Sequence, residues 1–414
     1  MVHETDVPAG ELAIEPFVLT DDFYQHPHAA YDLLRARGPA HFVRFPDGGT
    51  GWLITDYEAA KAAFLDPAIS KALKSEGART ALAGDGAGAQ AAGAMFGDMM
   101  LFYDPPEHTR LRTLVNRAFS GRAVRELTPR ITELADALLA DLAADAAVDQ
   151  DLLDRYAFPL PMLVICELLG VPHADRDDFR AWSTTLVSND ETVEARGAAV
   201  QRFLAYIDQL INAKRDEPAD DLLSELISAG EDGDRLSHRE LISMVFLLLV
   251  AGFETTVNLI SNAVAILLTD KDVRTALAET PDRVPDFVEE VLRYESPASE
   301  ATFRYTTVAV TLGGVEIPAG QRLLVSMAAA DRDPARFADP HRVDLDRADK
   351  NHLAFGHGVH RCVGAPLARM EGGIALSRLL AAYPDLELAA GAELTWRKSL
   401  IVRGLTALPV RLRP

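Results

Sequence analysis

Apolar residues recur along most of the chain at the three- and four-residue spacing of amphipathic helices, whereas strict alternation is confined to short segments. The longest apolar run, residues 241–253, follows Ser237 and Glu240, which stand at the spacing of a capping box. We predict a long central helix over residues 237–268. Because the apolar run is too short to cross a bilayer, this helix is expected in a protein core, with no membrane partner.

Two segments have the pattern of β-hairpins. Residues 41–55 turn at Pro-Asp-Gly-Gly and lead into a helix over residues 57–65, and residues 308–317 turn at a Gly-Gly pair. Residues 77–98 are rich in glycine and alanine and are expected to form a mobile loop. No long linker or internal repeat divides the sequence. These patterns predict a single, mainly α-helical domain over residues 1–414 with a minor β region.

Composition narrows the possible partners. The 414 residues carry 41 basic and 62 acidic side chains, a formal charge of −21 at pH 7, which argues against a nucleic-acid partner. The first residues lack the basic and apolar regions of a signal peptide, so none is expected. Of the two cysteines, Cys166 lies in an apolar run and is expected in the core. A disulfide framework is therefore not predicted. The sequence predicts a cytoplasmic location instead.

The second cysteine, Cys362, stands in a glycine-punctuated loop over residues 351–364, directly before a helical stretch. A thiolate that binds haem iron must stay ionised and shielded, on a backbone that a flat macrocycle can approach. Gly358 can adopt the positive φ of a tight turn, Gly364 removes a side chain beside the sulfur, and Phe355 can shield it. Pro366 predicts the first turn of the next helix. The N-terminus of that helix would stabilise the thiolate form of Cys362.

This loop resembles the haem-binding signature of the cytochrome P-450 monooxygenases, Phe-x-x-Gly-x-[His/Arg]-x-Cys-x-Gly, matched at Phe355, Gly358, His360, Cys362 and Gly364. The resemblance covers nearly the whole chain and implies the family's α-rich, triangular prism-like fold. It also implies haem b as the cofactor, with Cys362 as its axial thiolate ligand and the other four residues in contact with it.

The enzymes that the chain resembles are soluble bacterial ones that tailor macrolides and other polyketides or hydroxylate steroid-like molecules. The implied reaction inserts one oxygen atom from O2 into a C–H bond, or epoxidises a C=C bond, of a bulky and largely apolar small molecule. Macrolide or polyketide tailoring in antibiotic biosynthesis is the expected role, and a steroid-like substrate is the alternative. The loop at residues 77–98 would cover the active site.

Residues 251–256, Ala-Gly-Phe-Glu-Thr-Thr, are unfavourable for a buried helix. Gly252 weakens the helix, Glu254 needs a partner, and the Thr255 hydroxyl can bond to the carbonyl of Ala251. Such local conflict often marks a site. In the resemblance this is the oxygen-binding groove of the distal helix. It implies that Thr255 and Glu254 are catalytic, one organising water and the other helping to deliver protons.

Glu290 and Arg293 stand at i and i+3 on one face of a predicted helix. Such pairs are common on surfaces, so this one alone indicates little. In the resemblance, a later Pro-His-Arg-Val segment that contains Arg342 fits the family's Pro-x-Arg-Phe element. Glu290, Arg293 and Arg342 are therefore interpreted as a structural triad that fixes the cysteine loop.

The two propionates of haem need cationic donors, and guanidinium groups suit carboxylates geometrically. His108 and Arg112 lie at i and i+4 on a helix that two prolines predict. With Arg304 and His360, which are assigned by position in the resemblance, they are the candidate propionate ligands. The expected substrate pocket is mostly small or aliphatic and comprises Met99, Met100, Phe102, Leu248, Ala251, Ala298, Ser299, Leu400 and Ile401.

Electrons need an entry point near the thiolate. Arg112, Arg117 and Arg361 are expected to form a positive patch that docks an acidic ferredoxin. The ferredoxin would itself be reduced by an NAD(P)H-dependent ferredoxin reductase.

Three alternatives stay open from the sequence. A haem sensor without catalysis would have no need of Glu254 and Thr255, and a peroxygenase would use hydrogen peroxide directly. A cysteine hydrolase built on Cys362 and His360 would need a polar, open nucleophile site. The intact acid and alcohol argue against the sensor and the peroxygenase.

Overall fold

Helices dominate the computed structural model, which describes residues 15–46, 48–82, 98–116, 119, 121–145, 147–187, 192–228 and 236–412. In chain order, numbered α1 to α15, the α-helices span Pro27–Arg35, Tyr57–Leu65, Glu76–Leu82, Glu107–Asn116, Gly121–Glu126, Thr128–Ala144, Pro159–Leu168, Arg176–Val187, Val193–Asp216, Leu222–Ser228, His238–Thr269, Lys271–Glu279, Val284–Tyr294, Met327–Ala330 and Ala365–Ala382. Short 3-10 or π segments span Asp21–Tyr24, Met100–Phe102, Leu153–Ala157, His173–Asp175, Pro281–Arg283 and Gly358–His360. The predicted mainly α class is confirmed.

The strands form one larger sheet and two small ones. Numbered β1 to β11, they span Phe17–Val18, Ala40–Arg44, Thr50–Ile54, Ile69–Ser70, Asp149–Asp151, Arg304–Thr306, Val310–Leu312, Val315–Ile317, Arg322–Val325, Glu387–Leu388 and Pro409–Arg411. The larger sheet has the order β1-β2-β3-β9-β6-β4, and the small sheets are β10-β11-β5 and β7-β8. The β1–β2 and β3–β9 pairs are parallel, and the other pairs are antiparallel. Strands from both halves of the sequence therefore share the larger sheet and the β10-β11-β5 sheet.

Both predicted hairpins are confirmed. In the first, β2 pairs with β3 so that Ala40 faces Ile54 and Arg44 faces Thr50. In the second, β7 and β8 are joined by Gly313 and Gly314, whose φ values of +55° and +86° favour glycine. The helix predicted after the first hairpin is α2.

The loop predicted over residues 77–98 is wrong at its start, because residues 76–82 form α3. A Cβ at Gly77 would come 2.3 Å from the carbonyl oxygen of Thr306, so glycine here lets the helix pack closely on β6. Gly77 is thus a packing residue of a helix. Residues 83–97 of that loop lie outside the described residues.

The central helix is α11, and its bounds agree with the predicted ones to within one residue. The Ser237 hydroxyl accepts from the Glu240 N–H at 3.3 Å, and the Glu240 carboxylate accepts from the Ser237 N–H at 2.8 Å, so the capping box forms. The helix packs against α7, α9, α13 and α15 in the main hydrophobic core. Its length and apolar composition would also suit a membrane span, but its packing is that of a core helix.

Candidate functional site

A tight turn brings Cys362 to the start of α15. Gly358 has φ +73°, and a Cβ there would come 2.9 Å from the carbonyl oxygen of Phe64, so the turn and its contact with α2 both require glycine. The Cys362 N–H donates to the carbonyl of Phe355 at 2.8 Å. A Cβ at Gly364 would lie 3.9 Å from the Cys362 sulfur, so glycine leaves the space beside the sulfur free.

The thiol of Cys362 is exposed on one side and crowded by protein on the others. Burial raises its pKa. The N–H groups of Gly364 and Ala365 in the first turn of α15 act in the opposite direction, as do the charges of Arg112 and Arg361. A metal ion on the sulfur would reverse the direction of the shift, because it binds the thiolate.

An ion-pair network braces the loop from α13. Glu289 accepts two N–H groups of Arg369 at 2.6 and 2.9 Å and lies 3.2 Å from Nε2 of His352. Against the raising effect of burial, these two partners lower the pKa of Glu289 to about 2. The Arg369 guanidinium lies 4.5 Å from the ring centroid of Phe355 and so helps to fix it. Sequence reasoning missed Glu289 and Arg369, because no local pattern joins residues so far apart.

Two of the predicted propionate ligands meet directly. The rings of His108 and His360 lie 4.1 Å apart between centroids. His108 is buried, and among the described residues neither of its ring nitrogens nor Nε2 of His360 has a hydrogen-bond partner. Burial, aided by neighbouring cations, lowers the pKa of His108 to about 4 and that of His360 to about 2. Both rings are therefore neutral, and at least one nitrogen of each has no partner among the described residues.

Arg304 and Lys71 extend this group from the larger sheet. The pairing of β4 with β6 sets Ser70 opposite Tyr305 and so brings Lys71 near Arg304. Both cations are buried, burial lowers the pKa of Arg304 to about 10, and Nε of Arg304 has no partner among the described residues. Burial and the charge of Arg304 lower the pKa of Lys71, whose amine donates to the Thr302 hydroxyl. Lys71 was not predicted, since only the strand pairing reveals its place.

Arg112 lies at the edge of the same group. Its Nη2 donates to the carbonyl of Arg361 at 2.6 Å, and its Nε donates to Asn116 at 2.9 Å. Its charge acts on both Cys362 and His360. The predicted i, i+4 relation of His108 and Arg112 on α4 thus places one in the interior and the other against the cysteine loop.

The donor set favours an anionic group. Asp104 is the carboxylate that acts on Lys71, His108 and Arg304, and it already accepts the Ser70 hydroxyl and the Lys71 N–H. Buried cations and unpaired donors carry a large desolvation cost unless an anion offsets it. A flat group with two carboxylates, seated beside an accessible sulfur, fits these residues.

Of the predicted triad, the side chains of Glu290 and Arg293 meet, whereas the side chain of Arg342 does not join them. Glu290 and Arg293 are buried and share two hydrogen bonds of 2.9 and 3.0 Å. The third side chain is that of Arg347, whose Nε lies 2.9 Å from the Glu290 carboxylate. Arg342 is exposed and offers only its carbonyl, which accepts from Arg293 at 2.8 Å. The Pro-x-Arg spacing could not show which arginine of this turn points inward.

Accessible and buried residues alternate abruptly on α11. Ala251 and Gly252 are exposed, although most of the helix is buried. The Thr255 hydroxyl donates to the carbonyl of Ala251 at 2.9 Å, as predicted. Glu254 finds its partner in Arg397, 3.3 Å away, which sequence reasoning missed. Burial raises the pKa of Glu254, and the charge of Arg397 opposes the rise.

The first group of predicted pocket residues lies around α11. The turn Met100–Phe102 packs against this helix. Met99, Met100 and Leu248 are at most 7% exposed and belong to the main core, so little of their surface is open to a ligand. Phe102 is half-buried, and Ala251 is the exposed member.

The second group lies at the terminal turn. Ala298 pairs with Val402 through an isolated antiparallel bridge, which joins two of the predicted segments. Ser299 is buried, and its carbonyl accepts from Ala328. Leu400 and Ile401 are half-buried against the hydrophobic cluster of the N-terminal region.

Comparison with known proteins decides what this arrangement is. A family model described as cytochrome P-450 matches residues 180–387. Vitamin D(3) 25-hydroxylase of Pseudonocardia autotrophica is 48% identical over 394 residues, which are 95% of each chain. The chain belongs to the cytochrome P-450 family.

Two further cytochrome P-450 proteins match along nearly the whole length. The 6-deoxyerythronolide B hydroxylase of Saccharopolyspora erythraea is 41% identical over 402 residues, 96% of this chain and 98% of the relative. The solved structure of P-450 monooxygenase TamI bound to tirandamycin C has a TM-score of 0.88 and 44% identity, covering 96% of this chain and 100% of that one. The predicted cytochrome P-450 fold and monooxygenase activity are confirmed.

Haem b held by a cysteine thiolate is the cofactor of cytochromes P-450. The described chain has two cysteines, and only one has the required surroundings. Cys166 is fully buried, and burial raises its pKa to about 12, as expected of a core residue. Cys362 lies beside this group of cations and partnerless histidines, so the residues present fit haem at that end of α15.

Proposed function

We propose that this cytochrome P-450 monooxygenase inserts one oxygen atom from O2 into a C–H or C=C bond of a bulky, largely apolar molecule of macrolide or polyketide type. The observation that carries the proposal is the meeting of Cys362 with a group of cations, Lys71, Arg112 and Arg304, and of histidine nitrogens without partners among the described residues. The names of two relatives support the substrate class, since one is a 6-deoxyerythronolide B hydroxylase and the other was solved with tirandamycin C. Antibiotic biosynthesis in the cytoplasm is the proposed setting.

In this proposal Cys362 is the axial ligand, and the cationic group holds the propionates. The neutral rings of His108 and His360 donate hydrogen bonds, and Arg304, Arg112 and Lys71 supply positive charge. When bound, haem supplies the centre at which O2 is reduced and the oxidising power for the substrate. Glu290, Arg293 and Arg347 keep the cysteine loop in place.

Protons are moved by side chains of α11. Splitting O2 into one inserted oxygen atom and one water consumes two electrons and two protons. The Thr255 hydroxyl donates its hydrogen bond to the Ala251 carbonyl, so its oxygen is free to accept a hydrogen bond from a water molecule. Glu254 takes up protons and passes them toward Thr255, which matches the raised pKa that burial gives its carboxyl.

A steroid-like substrate is the second candidate. It is favoured by the 48% identity with vitamin D(3) 25-hydroxylase, which exceeds the 41% identity with 6-deoxyerythronolide B hydroxylase. Both candidates are large and apolar, so the exposed Ala251 and the half-buried Leu400 and Ile401 do not separate them.

Electrons are proposed to come from a ferredoxin and its NAD(P)H-dependent reductase. Arg361 is exposed next to Cys362, and Val359 and Leu65 expose 53% and 58% of their surfaces on the same side. Leu65 lies against this turn, because a Cβ at Gly358 would come 3.3 Å from it. An apolar pair beside a cation suits an acidic partner with an apolar contact area. Arg117 lies outside the described residues.

The test is a spectral titration followed by turnover. Purified enzyme is titrated with a macrolactone, a tirandamycin-type polyketide, a secosteroid and, as control, a fatty acid of similar apolar area. Ligands that shift the haem spectrum are then incubated under labelled O2 with ferredoxin, reductase and NAD(P)H. We expect a polyketide product that has gained one labelled oxygen atom. A labelled secosteroid product and no labelled polyketide product would favour the second candidate. Turnover with hydrogen peroxide, and none with O2 and the electron donors, would overturn the proposal in favour of a peroxygenase.

A further inference from the structure

A half-buried ion pair joins the central helix to the C-terminal segment. Arg397 Nη1 lies 3.3 Å from the Glu254 carboxylate, and Arg397 Nη2 donates to the amide oxygen of Asn258 at 2.6 Å. The side chains of Arg397 and Glu254 are 16% and 15% exposed. Because Glu254 and Asn258 stand at i and i+4 on one face of α11, a single guanidinium bridges both.

The backbone fixes Arg397 at the base of the terminal turn. The Arg397 N–H donates to the carbonyl of Gly404 at 2.9 Å, and these two residues close the turn that carries Leu400 and Ile401 at its tip. A Cβ at Gly404 would come 2.1 Å from the Asn258 amide oxygen and 2.5 Å from Arg397 Nη2. The turn is therefore fitted to the guanidinium, and glycine at 404 is required by that fit.

The bridge also controls where the Glu254 carboxylate lies. Neighbouring residues of a helix point about 100° apart, so a carboxylate held by Arg397 is directed away from the Thr255 hydroxyl. Among the described residues, Arg397 is the charged group whose field acts on Glu254 from the elements packed around it. Arg397 Nε and Asn258 Nδ2 are buried and have no partner among the described residues, so this bridge has donors to spare for water.

We propose that Arg397 is a positioning residue for proton delivery, which holds Glu254 as a carboxylate and sets the pH range over which Glu254 exchanges protons with the Thr255 side. The inference rests on the proposed role of Glu254 and Thr255. Starting as a carboxylate, Glu254 takes up a proton supplied through water from solvent and passes it toward Thr255, which returns Glu254 to the carboxylate, while Arg397 stays protonated throughout. The guanidinium thus never takes part in the transfer, and its effect is exerted on the donor.

The direct test measures the protonation of Glu254 by difference infrared spectroscopy over a pH series. The carboxyl band is assigned by its loss in Glu254→Gln. In Arg397→Gln the stabilising cation is gone, so the band is expected to titrate about 1 to 3 pH units higher. Arg397→Lys should recover most of the shift. Lys398→Gln, in which the neighbouring exposed lysine loses its partner Asp21, should titrate as the parent does.

The kinetic test follows product formed per NAD(P)H consumed against pH. Its optimum should move upward in Arg397→Gln, and this variant should have no further effect in a Glu254→Gln background. Gly404→Ala keeps every charge but displaces the guanidinium, so it should reproduce part of the shift. It replaces Arg397→Gln in the experiment if that variant fails to bind haem. An unchanged infrared titration in Arg397→Gln, or a kinetic shift that persists without Glu254, would overturn the inference. The infrared measurement needs no turnover, so it remains decisive even if the proposed reaction is wrong.

Discussion

The imidazole rings of His108 and His360 lie 4.1 Å apart in the interior, and both are neutral at pH 7 because their pKa values are about 4 and about 2. Buried polar nitrogens without hydrogen-bond partners destabilise the haem-free protein, and a bound anion would accept hydrogen bonds from them. This opposition gives the first prediction.

His108→Phe is expected to weaken haem retention and to leave the stability of the apoprotein unchanged or raised. The phenyl ring keeps the stacking on His360 and removes two unpaired nitrogens. One hydrogen bond to a charged group is worth about 1.5–3 kcal/mol, so haem loss should accelerate roughly 10- to 100-fold. Transfer of haem to an excess of a scavenging protein measures the rate of haem loss. His26→Phe, at an exposed histidine, is the control, and equal retention in both variants would contradict the assignment of His108.

The pH dependence of apoprotein stability follows from the lowered pKa of His108. At pH 7 the ring is neutral in both the folded and the unfolded chain and contributes nothing. As the pH falls below 6.5 the unfolded chain takes up a proton that the folded chain refuses until about pH 4. Stability present above pH 6.5 is therefore lost over this window, by up to about 3 kcal/mol. Urea unfolding of the apoprotein at several pH values should show the loss, and His108→Phe should flatten it.

The corrected triad predicts unequal effects for two neighbouring arginines. Arg347→Leu leaves the buried Glu290 with one partner fewer and should lower the free energy of unfolding by about 3–5 kcal/mol. Arg342→Leu removes an exposed side chain and keeps the carbonyl that the others use, so a change within about 0.5 kcal/mol is expected. Denaturant unfolding of the two variants compares them directly. Equal destabilisation would restore Arg342 to the triad.

Thr255→Val should uncouple electron use from product. The substitution keeps the shape of the side chain and removes the hydroxyl that accepts a hydrogen bond from water. NAD(P)H consumption should therefore continue while product formation falls by about 100-fold or more. Hydrogen peroxide should account for the missing oxygen. Thr256→Val is the matched control, because its buried hydroxyl bonds to the Gly252 carbonyl on another face of the helix. Unchanged coupling in Thr255→Val would refute the proposed role.

Charge reversal at Arg361 should slow reduction by an acidic ferredoxin. At low ionic strength and limiting ferredoxin we expect roughly a tenfold lower rate, and the difference should shrink as salt screens the contact. Stopped-flow reduction under carbon monoxide measures the rate. Arg44→Glu, on an exposed position of β2, is the control, and the carbon monoxide spectrum verifies that Cys362 still binds haem.

Local features of the sequence predicted local structure well. The capping box at Ser237 and Glu240 gave the start of the central helix, and the positive φ of Gly358 followed from the need for a tight turn. The back-bond from Thr255 to Ala251 was also predicted, because both partners lie within one helical turn. Each of these contacts depends on residues that are near in sequence.

Partners from distant parts of the chain were the ones missed. Lys71, Arg347 and Arg397 are ordinary surface residue types, and nothing in their flanking sequence marks them as buried. Their places depend on strand pairing, on the direction of a turn and on the docking of the terminal segment, respectively. Tertiary packing decides these, so periodicity and motif spacing could not reveal them.

The antiparallel pairing of β4 with β6 also bears on how the protein is made. Residues 69–71 leave the ribosome long before residues 304–306, yet two of the five residues proposed to hold the propionates, Lys71 and Arg304, come from these two segments. A nascent chain that ends before β6 therefore has no complete seat for the prosthetic group, however much of its helical portion has already collapsed. Cofactor capture accordingly belongs to the last stage of biosynthesis, and cells starved of haem should accumulate full-length protein rather than arrested fragments.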